Sequence, residues 1–136
     1  KKLITFLIKN TAGANEVIRT ISKQTKINLF VILNDKIADG RDISWIWDTN
    51  WEILKDKTRN VFIGGNRSFD MALRLKYAGL KLSKKNIYKE ENYSISKILH
   101  KLSNKDTLII LPTYTALLGI QKYFSKSTGA TKWQSQ

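Results

Sequence analysis

Apolar residues fall along this chain in short unbroken runs, separated by longer segments with helical spacing. Residues 3 to 9, LITFLIK, predict a first strand ending at Asn10, and Val17, Ile18 and Ile21 predict the helix after it. Residues 27 to 33, INLFVIL, are apolar nearly throughout, which suits a central parallel strand covered on both faces. A third strand at Val61 to Ile63 leads into GGNRSFD and then a helix to Tyr77. That helix carries Phe69, Leu73 and Tyr77 on one line and Met71 and Leu75 on another, and Gly79 stops it. Beyond a short strand at Ile87 to Lys89, Ile95, Ile98, Leu99 and Leu102 predict a helix. TLIILP, 107 to 112, is the last predicted strand, and Pro112 ends it before a helix with Leu117, Leu118, Ile120 and Phe124. Strand and helix alternate, so the expected fold class is α/β, a doubly wound, mostly parallel Rossmann-like sheet. We assign residues 1 to 124 to one domain and expect 125 to 136 to be a flexible tail.

In such sheets ligands bind beyond the carboxyl ends of the strands. Four segments leave those ends: NTAGANE, residues 34 to 52, GGNRSFD and PTYTA. The second, NDKIADGRDISWIWDTNW followed by Glu52, departs most from scaffold composition. It holds Asp35, Asp39, Asp42, Asp48 and Glu52 against Lys36 and Arg41, with three of the chain's four tryptophans, Trp45, Trp47 and Trp51. Loops on a rigid scaffold are where function concentrates, and aromatic residues are enriched at the desolvated centres of interfaces. The plainer alternative is that the tryptophans plug a core edge and the acids cap helices or face water.

Charge sets a competing expectation. The chain carries a formal net charge of +13 while residues 34 to 52 carry −3, so one acidic, aromatic loop sits in a basic domain. A basic α/β nucleic-acid-binding domain is the alternative this suggests. Its lysines are spread along the whole length, with no arginine-rich block or recognisable binding motif, so a solvated lysine-rich surface accounts for them. The absence of cysteine excludes disulfides, thiolate zinc sites and a cysteine nucleophile within these residues. The lone His100 lies off its helix's apolar line and cannot build a metal cluster or a triad by itself, so no metal site is expected. No apolar run approaches a transmembrane span, and we read the chain as soluble and intracellular. It lacks an initiator methionine and its first strand begins almost at residue 1, which suggests a piece of something longer. GGNR lacks the lysine and spacing of a phosphate loop. Asp70 and Arg74 stand at i, i+4 and read as a surface pair.

Taken together, NTAGANEVIRT, LNDKIADGRDISWIWD, GGNRSFDMALRLKYAG and LPTYTALL resemble, in order and spacing, the C-terminal domain of the MurT family, the Mur-ligase-like subunits of lipid II isoglutaminyl synthases. The DGRD-x-SW-x-x-D core carries most of that resemblance. One departure is Thr11, where the family usually has proline in Asn-Pro-Ala-Gly. The resemblance implies a Mur ligase C-terminal fold within an enzyme that amidates the D-glutamate of the lipid II stem peptide. That enzyme works in the cytoplasm at the inner membrane face. It uses ATP with Mg, and ammonia made by a separate GatD-type glutaminase. The family's phosphate loop, catalytic acids and zinc-binding insertion belong to a central domain absent from these 136 residues. The domain alone is therefore not expected to ligate; it would close the ATP site and dock the glutaminase. Asp42, in DGRD, matches the aspartate the family is thought to lend to the glutaminase Cys–His pair, with Asp39 and Asp48 as rivals; the plainer alternative is that Asp42 caps the short turn at Ile43 to Trp47 and pairs with Arg41 or another base. Asp39, Arg41, Trp45, Trp47 and Asp48 would form the partner interface. Asn10, Thr11, Asn15, Thr113 and Tyr114 would face the ATP.

Overall fold

The computed structural model describes residues 1–89, 95–126 and 132–135. Its strands are β1 (Lys2–Thr5), β2 (Ile27–Ile32), β3 (Thr58–Gly64), β4 (Thr107–Pro112) and β5 (Lys132–Ser135). They form one sheet in the order β3-β2-β4-β1-β5, and every pairing is parallel. The helices are α1 (Thr11–Ile21), α2 (Trp45–Asp48), α3 (Ser68–Tyr77), α4 (Ile95–His100) and α5 (Tyr114–Ser125).

All six residues of β2 are buried, because β2 lies inside the sheet with helices over both faces. Side chains alternate along a strand, and two cores follow from that alternation. Leu29, Val31, Val61, Ile63, Ile109 and Leu111 pack with Ala14, Ile18 and Ile21 of α1, Ile46 of α2, and Met71 and Leu75 of α3. Phe30, Ile32, Phe62, Leu108 and Ile110 pack on the opposite face with Ile95, Ile98 and Leu99 of α4 and Ala116 and Ile120 of α5. The sheet is thus wound on both sides, as the alternating pattern predicts.

The details refine several expectations. Regular β1 ends at Thr5, yet Phe6 and Ile8 go on donating to the carbonyls of Ile110 and Pro112, so the 3 to 9 run follows β4 nearly to its end. Ile87 makes a single parallel bridge to Ile63 in place of a full strand. At the far end, Lys132–Ser135 pairs with β1 where the sequence suggests a flexible tail; residues 127–131 and 136 lie outside the described residues. Of the two apolar lines on α3 only Met71 and Leu75 are buried, while Phe69, Leu73 and Tyr77 are exposed. Leu118 of α5 is also exposed. The helix α3 closes as expected: Gly79 has φ +92°, with Gly79 N–H donating to Lys76 and Leu80 N–H to Leu75.

Candidate functional site

The carboxyl ends of β2, β3 and β4 are tied together by side chains. Asn34, buried just past β2, receives the amide of Asn66 at 2.9 Å and donates Nδ2 to Thr115 Oγ1 at 2.9 Å, while its own amide donates to Thr113 Oγ1 at 3.0 Å. Gly65 lies so close to Leu33 that a Cβ built on it would stand 2.2 Å from the Leu33 carbonyl oxygen, at φ +101°. Gly65 of GGNR therefore serves a backbone approach between the ends of β2 and β3, and Asn66 hydrogen-bonds to Asn34 and Asp35.

Most acids of the 34 to 52 segment are spent inside the domain. Asp35 accepts from Asn66 Nδ2 at 2.7 Å and pairs with Arg67 Nη1 at 2.7 Å. The Arg67 hydrogen bond, then that of Asn66, holds the Asp35 carboxyl below its ordinary range. Asp39, at the end of a single 3-10 turn (Ile37–Asp39), accepts the Lys36 amide and both the amide and hydroxyl of Thr115. It occupies the N-terminal turn of α5, where a carboxylate meets unpaired amides and the positive end of the helix dipole. Asp39, expected at a partner surface, is half-buried, and its bonds fasten the loop to its own domain.

Arg74 departs furthest from its expected role. It does not pair with Asp70, which bonds Arg67, and it is not surface decoration, since only 5% of its side chain is exposed. Its Nε donates to the Ile46 carbonyl at 2.9 Å and its Nη2 to the Thr49 carbonyl at 2.8 Å. Nη1 and Nη2 grip the two oxygens of Glu52 at 2.9 and 2.8 Å. The physical reason is the brevity of α2: four residues leave their carbonyls without helical partners, and a guanidinium fork satisfies several at once. The signal was present in the sequence, because Arg74 stands three residues after Met71 and beside Leu75, on the buried stripe.

The tryptophans divide three ways. Trp51 is fully buried and donates Nε1 to the Ile46 carbonyl at 3.1 Å, so it is a core plug. Trp45 is half-buried against the core. Trp47 is exposed, with Tyr77 at 5.9 Å between ring centroids and the Arg74 guanidinium 5.5 Å from its own ring centroid. Arg41 and Asp48 are exposed as well, and among the described residues the Asp48 carboxylate makes no hydrogen bond or ion pair.

Asp42 is exposed, and its Oδ1 accepts the Ser44 amide at 2.8 Å. The Ser44 backbone bond, followed by the Ser44 hydroxyl, holds its carboxyl below the usual range. This is the turn cap of the plainer alternative, with no ion pair to Arg41 among the described residues, and a cap of this kind orients a carboxylate without a cation. Asp42 is accordingly ionised, aimed by its own turn and accessible.

The residues expected to face a nucleotide lie at the same sheet edge, with their polar atoms largely engaged. Asn10 caps α1 through the Gly13 amide at 2.9 Å. Thr11 donates to the Trp45 carbonyl at 3.2 Å, and Asn15 accepts the Asn50 amide at 2.8 Å. Thr113 is buried against Asn34, and Tyr114 is exposed. With Asp39 filling the start of α5 and no cation among these five, they do not form a phosphate cradle by themselves. Among the described residues no group of three or more His, Cys, Asp and Glu side chains could hold a metal ion, and no helix is long and apolar enough to cross a membrane.

A family model described as MurT ligase C-terminal matches residues 7–117. The chain is 35% identical over 122 residues to a lipid II isoglutaminyl synthase (glutamine-hydrolyzing) subunit MurT from Streptococcus pneumoniae (strain ATCC BAA-255 / R6), covering 87% of this chain and 26% of that protein. It is 30% identical over 132 residues to the protein of the same description from Staphylococcus aureus (strain COL), covering 93% of this chain and 29% of that protein. The chain thus spans less than a third of the relatives it matches. By the family match over most of its length, with a doubly wound parallel fold to go with it, the chain belongs to the MurT ligase C-terminal family.

Proposed function

We propose that this domain works within the ligase subunit of a lipid II isoglutaminyl synthase, where it docks a glutaminase subunit and lends Asp42 to that subunit's Cys–His pair. The observation that carries the reading is the state of Asp42 among its neighbours. Asp35, Asp39 and Glu52 are each spent on intrachain partners, and Asp48 is not oriented by any bond, whereas Asp42 is exposed, ionised and fixed by Ser44. A carboxylate on the far nitrogen of a histidine fixes the ring's tautomer. It also stabilises the imidazolium formed when the histidine takes the thiol proton. Exposed Trp47 and Arg41 flank the same segment and suit a surface that a partner covers.

On this reading the phosphate chemistry, with its ATP and Mg, and a separate zinc-binding insertion belong to the rest of the ligase. The domain contributes a sheet edge that closes over the nucleotide at the cytoplasmic membrane face, where lipid II is presented. Calorimetry on this domain alone should show no tight ATP binding.

The deciding experiment uses a complete ligase–glutaminase complex containing this domain. Asp42→Asn should preserve assembly and sharply lower glutamine hydrolysis, while amidation supplied with free ammonium continues. Unchanged hydrolysis in an intact complex would remove Asp42 from the reaction and turn attention to Asp48. Duplex binding with steep salt dependence, and no complex with the glutaminase on a sizing column, would replace the reading with a nucleic-acid-binding one.

A further inference from the structure

A four-residue helix cannot hold itself in water, because nucleating a helix costs more than one turn returns. The turn that carries Asp42 is joined to such a helix. Ser44 N–H bonds Asp42, Ser44 O accepts the Trp47 amide at 3.0 Å, and Ile43 O accepts the Ile46 amide at 3.1 Å. Buried Ile46 and Trp51, whose Nε1 donates to the Ile46 carbonyl, seat this small unit in the core, and one charged side chain adds a polar hold from α3. Arg74, projecting from α3, binds the carbonyls of Ile46 and Thr49 and both oxygens of Glu52, so it grips the unit at its end and at the turn beyond. Thr11 and Asn15 of α1 add one neutral bond each from the other side. Arg74 is nearly enclosed, whereas Glu52 is 56% exposed, so the interior end of the clamp is the cation.

We infer that Arg74 is a positioning residue for Asp42: by fixing α2 from α3, it sets where the Asp42 carboxylate stands relative to a partner's histidine. The inference rests on the reading of Asp42 given above. It makes Arg74 something other than a stability element, because a displacement of about 1 Å at a reacting centre can cost roughly a hundredfold in rate. Lysine cannot replace the arginine here: a single ammonium cannot span two carbonyls and a bidentate carboxylate.

The test is a double-mutant cycle in the complete ligase–glutaminase complex, comparing Arg74→Lys, Asp42→Asn and the two combined. Arg74→Lys should lower kcat for glutamine hydrolysis about tenfold to a hundredfold. KM for glutamine and ammonium-fed amidation should be unchanged, and the double variant should be no slower than Asp42→Asn alone. Equal losses of glutamine-fed and ammonium-fed amidation, or losses that multiply in the double variant, would show a general scaffold role and overturn the inference. If the Arg74→Lys complex does not assemble, Glu52→Gln decides, since it loosens the clamp and leaves the backbone bonds of Arg74 in place. Lowered hydrolysis in that variant, absent when Asp42 is already Asn, supports the inference, and wild-type hydrolysis overturns it. An Asp42→Asn complex that hydrolyses glutamine normally removes the reading of Asp42 and the role of Arg74 with it. A silent Arg74→Lys beside an impaired Asp42→Asn removes only the latter role.

Discussion

Asp39 receives the Thr115 amide at 2.7 Å and the Thr115 hydroxyl at 2.6 Å, so an acid 76 residues upstream caps the first turn of α5. The cap joins the loop after β2 to the helix after β4, and it makes the position of that loop depend on a long-range bond. Asp39→Ala should lower stability by about 1 kcal/mol, in the range of other lost N-caps. Urea denaturation measures it. Asp39→Asn, which keeps an acceptor, should cost less, and an equal loss would mean that the charge on the helix end dominates.

Acid should weaken the domain through the two carboxylates that an arginine holds below their ordinary range. Arg67 lowers the Asp35 pKa from 3.8 and Arg74 lowers that of Glu52 from 4.5. A depressed folded value means that the stabilisation is fully present above the unfolded value and is lost as pH falls through the folded one. The urea midpoint, as far as these groups set it, should be level from neutral pH down to about 5 and fall below about 4. Glu52→Gln should shallow that acid limb, and an unchanged limb would exclude Glu52 as a contributor.

Gly65→Ala should be among the costliest single-methyl changes in the chain. The added Cβ would stand 2.2 Å from the Leu33 carbonyl oxygen on a residue with φ +101°, and the neighbouring atoms are backbone that cannot swing aside. We expect a loss of at least about 2 kcal/mol by chemical denaturation. A loss under about 0.5 kcal/mol would mean that β2 and β3 separate easily at their ends.

Two leucines one helical half-turn apart should behave oppositely. Leu75 is fully buried and Leu73 is 48% exposed. Leu75→Ala should cost about 2 to 5 kcal/mol, and Leu73→Ala should fall within about 0.5 kcal/mol of the parent. Comparable losses would place both lines of α3 in the core.

What the sequence disclosed and what it hid follow from the range of the interactions. The INLFVIL and TLIILP runs became β2 and β4, because burial on both faces demands continuous apolar residues, a requirement visible locally. The convergence of four loops on one sheet edge also followed from strand and helix alternation alone. The partners of Asp39 and Arg74 were illegible by spacing, since Asp70 lies closer in sequence to Arg74 than Glu52 does, and Thr115 is 76 residues from Asp39. On α3, two apolar lines looked alike in sequence, and the packing of α3 on the sheet and beside α2 decided which would be buried. Among the acids, composition marked the whole 34 to 52 segment, but separating the accessible Asp42 from its neighbours required knowing which of them met a cation or a helix end.

The stripe of Phe69, Leu73 and Tyr77 has a consequence for how copies of the domain treat one another in solution. These side chains, with Trp47 against Tyr77, present apolar surface on a body of formal net charge +13. At low ionic strength mutual repulsion keeps two such bodies apart, and the stripes do not meet. Near 0.1 M salt the screening length contracts to about 10 Å, and short-range apolar attraction then acts on contact. The osmotic second virial coefficient of the isolated domain should therefore fall from positive toward negative as sodium chloride is added, and Leu73→Lys should hold it positive.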